Sequence, residues 1–274
     1  MSNFKKQLLA VPYLIWMIGF ILLPLVFILY YAITAADGSF TFSNIAAIAD
    51  PVHVKSILLS LKLGFLCTLV CLVLSYPLCM ILSTFRFRHQ SFVVFLFILP
   101  MWMNFMLRIL AWRLLLSNNG IVNAILEAVG TGHVKMLNTP TAVVFGMVYD
   151  FLPFMILPIY NTIVKLDESL LEAARDLGAN DREAFLKVTL PLSVPGIVSG
   201  IAMVFLPAMT NYVVLDMLYN STYIMGSLIS SYFAAYNWNG GSMIALILLA
   251  IICLFTLLTK GMEEEENPRG GALL

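Results

Sequence analysis

Asp150 and Asp216 are the two carboxylates that fall inside long apolar stretches. An ionisable side chain in hydrocarbon is costly enough to mark a functional position. Carboxylates on apolar helices could hold a cationic solute, with Trp102, Trp112, Tyr149, Tyr212 and Tyr223 supplying aromatic faces for cation–π contact. Each residue also has a structural reading. Arg108 lies about eight residues before the end of one apolar stretch (91–116) and Asp150 about nine after the start of the next (141–164). At ~1.5 Å per residue both stand roughly 12–14 Å deep from the same side and can pair if the two helices are neighbours. Asp216, at the end of its stretch, can be a wetted rim carboxylate, and Trp and Tyr at span ends commonly form interfacial belts. Trp102, beside Asn104 in mid-stretch, and Tyr223 are the aromatics best placed for a solute.

Holding these residues at such depth requires membrane-spanning helices, and the composition supplies them. The 274-residue chain is 61% hydrophobic and 11% charged, with a mean hydropathy of +0.95. A soluble domain averages about 45–50% apolar and about 25% charged residues, so a soluble fold is excluded. Zero formal charge and a pI near 6.8 leave no basic face for nucleic acid. The apolar residues form six stretches near 9–35, 57–84, 91–116, 141–164, 193–218 and 243–260. Each can cross ~30 Å of hydrocarbon, which takes roughly 20 helical residues. The first contains Pro12 and Pro24 and lacks a small-x-small cleavage site, so it is read as a span rather than a signal peptide. Together they predict an all-α polytopic protein with one membrane domain over 1–274.

Lys and Arg fix its orientation. With the N-terminus inside, the inner segments hold Lys5, Lys6, Arg86, Arg88, Lys165, Arg175, Arg182, Lys187, Lys260 and Arg269, ten of the fifteen basic residues. Both termini are then cytoplasmic, and so is the segment 165–192. Outside lie 36–56, 117–140 and the semi-polar stretch 219–242. Glu263–Glu266 are read as a solvated tail.

The segment 165–192 includes KLDESLLEAARDLGANDREAFLKVTLP, Lys165 to Pro191. Asp167 is a good N-cap, helix formers follow through Leu177, and Gly178 sits where a helix would end. Asn180 with Glu183 opens a second helix through a capping box, and that helix is predicted to end before Pro191. Two short helices bent at Gly178 result, with Ala173 and Ala174 giving a low face that another protein's groove could approach.

Glu172-Ala173-Ala174, three residues, Gly178, nine residues, then Val188-x-Leu190-Pro191 resembles the EAA loop of ABC importer permeases, with Val in place of Ile. The resemblance implies a type I ABC importer permease fold of six helices, with this loop between helices 4 and 5 docking on an ATPase subunit. Glu172 would anchor the loop and Gly178 would make its bend. Three longer pieces, Leu99–Asn123, Val148–Ala179 and Leu190–Met209, resemble the spermidine/putrescine permeases, most closely the B-type subunit of that heterodimeric importer. The first matches the family's LPFW-x-N-x-x-x-R, with Met101 replacing an aromatic. Permeases for opines, iron and other small cations share much of this wording.

The resemblance therefore implies half of a translocation path for polyamines across a bacterial plasma membrane. The expected partners are a second permease subunit, two ATPase subunits, an extracytoplasmic binding protein and membrane lipid. ATP binding would draw the coupling loops together and open the path outward, and hydrolysis would reset it. Solute-path candidates are Asp150, Asp216, Trp102, Asn104, Arg108 and Tyr223. No phosphate-loop motif occurs, so ATP and Mg are expected on the separate ATPase and no cofactor on this chain.

Enzyme and redox chemistry lack their residues. His53, His89 and His133 fall in loops or at span edges and are read as surface residues. Cys67 and Cys71 are read as small packing groups. No H-E-x-x-H, G-x-S-x-G or C-x-x-C occurs, so neither catalytic nor metal-binding residues are expected. An ATP-independent transporter or channel would not need the loop, and co-purification with an ATPase would separate the two classes.

Overall fold

The computed structural model describes residues 11–35, 37–46, 49–84, 95–219 and 223–266. Lys5, Lys6, Arg86, Arg88, His89 and Arg269, used above for topology and function, lie outside them. The principal helices in chain order are α1 (Val11–Ala32), α2 (Pro51–Thr84), α3 (Phe105–Leu115), α4 (Ile121–Ala128), α5 (Pro140–Ile163) and α6 (Glu168–Asp176). They continue with α7 (Asp181–Thr210), α8 (Tyr212–Leu218), α9 (Met225–Ala234) and α10 (Trp238–Glu266). No strand forms among the described residues beyond an isolated bridge between Thr34 and Phe40.

Five helices are long and apolar enough to cross a membrane, and a sixth span exists if a bent pair is counted as one. The bent pair corrects the expectation of a continuous helix over 91–116. Phe95–Trp102 and Phe105–Leu115 meet at 91°. Met103 is extended (ψ 146°), and the Asn104 side chain opens a new helix by accepting from the Met106 and Leu107 amides. The fifth span is also divided, since α7 stops at Thr210 and α8 restarts behind Asn211, whose Oδ1 accepts from Val214 N. Residues 193–218 are thus two helices. The stretches 117–140 and 219–242 contain α4 and α9, and backbone helix runs to Glu266 through the acidic tail.

The helix expected to end before Pro191 instead continues through it. Proline lacks an N–H and its ring clashes with the carbonyl four residues back. A π-turn over Phe185–Thr189 relieves this: Leu190 N–H donates to Phe185 O, widening the turn just ahead of Pro191. The same device precedes Pro24, where Leu23 N–H donates to Ile18 O.

The chain forms two compact units, residues 1–57 with 225–253 and residues 58–224 with 254–274. In the first, Asn239 Nδ2 donates to Tyr31 O and Thr34 O, and Met225, Leu228 and Ile244 form a small core. His53 belongs to this unit and is buried, with Nε2 2.9 Å from Tyr232 Oη, which corrects its reading as a surface residue. It opens a helix that begins at Pro51 rather than near 57, so the ring enters the packed layer. His133 is exposed, 3.2 Å from Glu127.

The second unit is built around the α5–α7 pair. Thr139 caps α5 and Pro140 follows at its start, where a missing N–H costs nothing. Gly196 and Gly200 of α7 face α5: a Cβ on Gly196 would stand 2.5 Å from Thr162 Oγ1 and 2.8 Å from Pro158 O, and one on Gly200 2.6 Å from Met155 Sδ. The G-x-x-x-G spacing therefore packs helices within this chain. Helix α2 completes the core with Leu63, Cys67, Cys71 and Cys79, while Phe65, Leu69 and Val73 point outward. The thiols are small enough to approach α5 backbone, with Cys71 Sγ 3.9 Å from Val148 O and Cys79 Sγ 3.5 Å from Ile156 O.

Candidate functional site

The loop between α5 and α7 is fixed by its own hydrogen bonds. Asp167 Oδ1 accepts from Ser169 N (3.0 Å) and caps α6, and the Ser169 hydrogen bonds hold the Asp167 carboxyl below its usual 3.8. At the far end Gly178 takes φ +87°, the left-handed region that favours glycine. Gly178 N–H donates to Arg175 O (2.9 Å) and Ala179 N–H to Ala174 O (3.0 Å), the bond pair of a Schellman cap. The chain then turns directly into α7. Glu183 N–H donates to Asn180 Oδ1 (2.9 Å) and Asn180 N–H to Glu183 Oε2 (3.1 Å). Glu183 is held below its usual 4.5 first by the Asn180 amide and then by Lys187, whose Nζ is 3.4 Å away. Arg175 Nη2 reaches Asp181 Oδ1 at 3.1 Å across the bend.

Glu172, Ala173 and Gly178 are exposed and Ala174 is half-buried. Glu172 makes no hydrogen bond or ion pair among the described residues. Leu177 is 89% exposed, a large apolar side chain held at the apex of the bend. Ala174, Leu177, Gly178 and Val188 line a shallow concavity of about 320 Å³ on this surface. Val188 sits in the π-turn, and Leu190 and Pro191 resume the α-helix of α7 behind it. The root of α7 is latched to α2: Tyr76 Oη lies 2.9 Å from Ser193 Oγ, and the Tyr76 ring meets Phe185 edge-on at 5.9 Å. The loop is therefore a preformed projection on a rigid base.

The solute-path candidates are distributed differently. Arg108 Nη2 lies 3.3 Å from Asp150 Oδ1, with the two side chains only 8% and 5% exposed. Neither Asp150 oxygen, nor Arg108 Nε or Nη1, has an aligned hydrogen bond among the described residues, so the contact is mainly electrostatic. The guanidinium also stands 5.7 Å from the centre of the Tyr149 ring, which Trp112 meets edge-on at 5.4 Å. Asn104 spends its carbonyl on capping α3. Trp102 (77% exposed) packs its edge against Phe95, Tyr223 is 53% exposed, and Asp216 is exposed on α8. Trp102 is not in mid-helix but at the end of a short 3-10 segment ahead of the break. The geometry brings Arg108 and Asp150 together and leaves Trp102, Asp216 and Tyr223 on the surface.

Sequence reasoning missed Leu177 and the Tyr76–Ser193 latch. A leucine just before a helix-ending glycine carries no mark of its exposure, and two hydroxyls 117 residues apart share no local pattern.

A bend-and-cap loop projecting from a helical membrane core defines a class, and comparison places the chain in it. Residues 81–263 match the family described as binding-protein-dependent transport system inner membrane component. The chain belongs to that family and is a multi-pass permease subunit of an ABC importer. It is 36% identical over 263 residues to the spermidine/putrescine transport system permease protein PotB of Haemophilus influenzae, covering 92% of each chain. It is 34% identical over 252 residues to PotB of Escherichia coli, covering 88% of this chain and 92% of that one. The fold matches, with a TM-score of 0.82 and 16% identity over 96% of both chains, a crystal structure of a bacterial ABC transporter involved in the import of the acidic polysaccharide alginate. The type I permease fold expected from the loop is thus the fold found.

Proposed function

We propose that this chain is one half of the translocation path of a polyamine importer, carrying spermidine or putrescine into the cytoplasm beside a second, different permease subunit. The similarity to PotB over about nine-tenths of the chain is the observation that carries the solute class. Ten of fifteen basic residues on one side argue for cytoplasmic termini and a cytoplasmic loop.

The coupling step follows from the loop's rigidity. An ATPase subunit, with its own ATP and Mg, grips Glu172, Ala173, Ala174 and the Leu177–Gly178 apex. Closure of two such ATPases pulls the loops together, and the latched root passes the displacement to α7 and, through the glycine-packed face, to α5. The solute enters from an extracytoplasmic binding protein. The chain performs no covalent chemistry in this scheme. Asp150 is neutralised by Arg108, so Asp216, Trp102 and Tyr223 are the residues exposed to meet a cation.

The test is ATPase stimulation in the purified complex. Binding protein loaded with spermidine or putrescine should raise hydrolysis above the rate with unloaded binding protein. Stimulation by another solute's binding protein, with none by polyamine, would replace the solute and keep the transporter class.

A further inference from the structure

Within the unit formed by 1–57 and 225–253, a cavity of about 170 Å³ is walled by Asn44, His53, Tyr232, Asn237, Asn239 and Met243. Its size is close to that of an apolar cavity of ~150 Å³ that admits benzene, so it has room for more than one water. Three of its polar side chains, Asn44, Asn239 and Tyr232, share one character. Asn44 Nδ2 donates to Ala32 O (2.9 Å) and Thr34 O (3.0 Å), and Asn239 Nδ2 donates to Tyr31 O (3.0 Å) and Thr34 O (2.6 Å). Carbonyl oxygens only accept, so both amide orientations are forced, and each Asn keeps an Oδ1 with no partner among the described residues. Tyr232 Oη lies 2.9 Å from His53 Nε2; whichever atom donates, the phenol oxygen keeps a lone pair. Asn237 is turned the other way, its Oδ1 accepting from Gly240 N at 3.0 Å.

We infer that this cavity binds the primary ammonium end of an alkylamine. Asn44 Oδ1, Asn239 Oδ1 and Tyr232 Oη equal in number the three N–H donors of an ammonium group. The Tyr232 ring, Met243 and Ile244 cover the first methylenes. An anion would find one donor amide against three acceptors. A hard divalent cation takes carboxylate oxygens, and the wall has none. Walls without a carboxylate hold an amine without trapping it, as a receiving station on a transport route must. The site deepens the polyamine reading and rests on it for its place on the outer side, where 36–56 and 219–242 are assigned.

The probe is 1-aminobutane, with 1-butanol as an uncharged control of the same shape, titrated into the purified complex without binding protein and followed by saturation-transfer NMR. Saturable binding of the amine and none of the alcohol is expected. Met243→Phe, which fills the cavity and leaves its hydrogen bonds in place, should weaken amine binding at least about tenfold, and Tyr232→Phe, which removes one acceptor, by several-fold. Both are compared with wild type at matching elution and melting temperature. Equal signals from amine and alcohol, no amine binding by wild type, or wild-type affinity in either variant would overturn the site. Polyamine uptake measured on the same preparation separates the two ideas. Uptake without aminobutane binding removes the site alone, and binding without uptake removes the importer reading alone.

Discussion

Arg108 and Asp150, on helices separated by a loop and a short helix, bury their charges against each other at 3.3 Å with hydrogen-bonding capacity to spare. Removing one partner of a buried pair leaves an uncompensated charge and costs about 3–5 kcal/mol, whereas replacing both with apolar residues is often near neutral. Asp150→Leu alone should therefore strongly lower the melting temperature of the complex, and Arg108→Met with Asp150→Leu should restore most of it. Uptake by the stable double variant then decides the role of Asp150. Retained uptake makes the pair a structural bolt, and lost uptake at full stability gives Asp150 contact with solute.

Gly178 provides a way to separate folding strain from partner contact. Nothing lies within 4 Å of a Cβ at this position, but φ is +87°. Any L-residue pays the left-handed conformation, about 1–2 kcal/mol, and the size of the side chain should matter little to the isolated loop. Gly178→Ala and Gly178→Leu should then loosen the Ala179 amide equally by hydrogen exchange. If uptake falls further in Gly178→Leu than in Gly178→Ala, the excess is a clash with the docked ATPase. Equal uptake in both would remove the docking contact from this position.

The α5–α7 contact sets a packing limit. A methyl at Gly196 meets Thr162 Oγ1 and the Pro158 carbonyl at 2.5 and 2.8 Å, and backbone cannot step aside as a flexible side chain can. Gly196→Ala should cost about 1–3 kcal/mol in thermal unfolding, the usual range for overpacking. Gly130→Ala, also in a left-handed turn but with open space around it, should show only its conformational cost.

The loop caps carry a pH signature. Asp167 and Glu183 have carboxyls depressed below 3.8 and 4.5 by amide hydrogen bonds. A depressed folded pKa contributes stability that is present above the unfolded value and lost as pH falls through the folded one. Protection of the Ser169 and Asn180 amides, which donate to these carboxylates, should thus be constant above about pH 5 and decline below about pH 4. Glu183→Gln, which replaces the titrating acceptor by a neutral amide, should erase the decline at Asn180 alone.

How far these features were legible follows from what a local pattern can encode. Hydropathy marks the spans because lipid imposes it, and the caps at Asp167, Gly178 and Asn180 were readable because each depends on a residue type within four positions. The break at Met103 was not, since both its arms are equally apolar. Nor was the division of α2 into a packed stripe at Cys67 and Cys71 and an outer stripe at Phe65 and Leu69: in a membrane both faces are hydrophobic. Pro191 misled because a five-residue turn can absorb what a four-residue turn cannot. His53 misled because a helix one and a half turns longer than its hydropathy drew a polar ring into the packing.

The most direct measurement is uptake of radiolabelled spermidine into proteoliposomes holding the complete complex, with binding protein outside the mouth of the path and ATP on the loop side, comparing wild type with Glu172→Ala. Uptake that requires ATP and loaded binding protein, and that falls sharply in Glu172→Ala while all subunits still co-purify, is the expected result. Spermidine uptake indifferent to ATP, or unchanged by Glu172→Ala, would contradict an ATP-driven permease coupled through this loop.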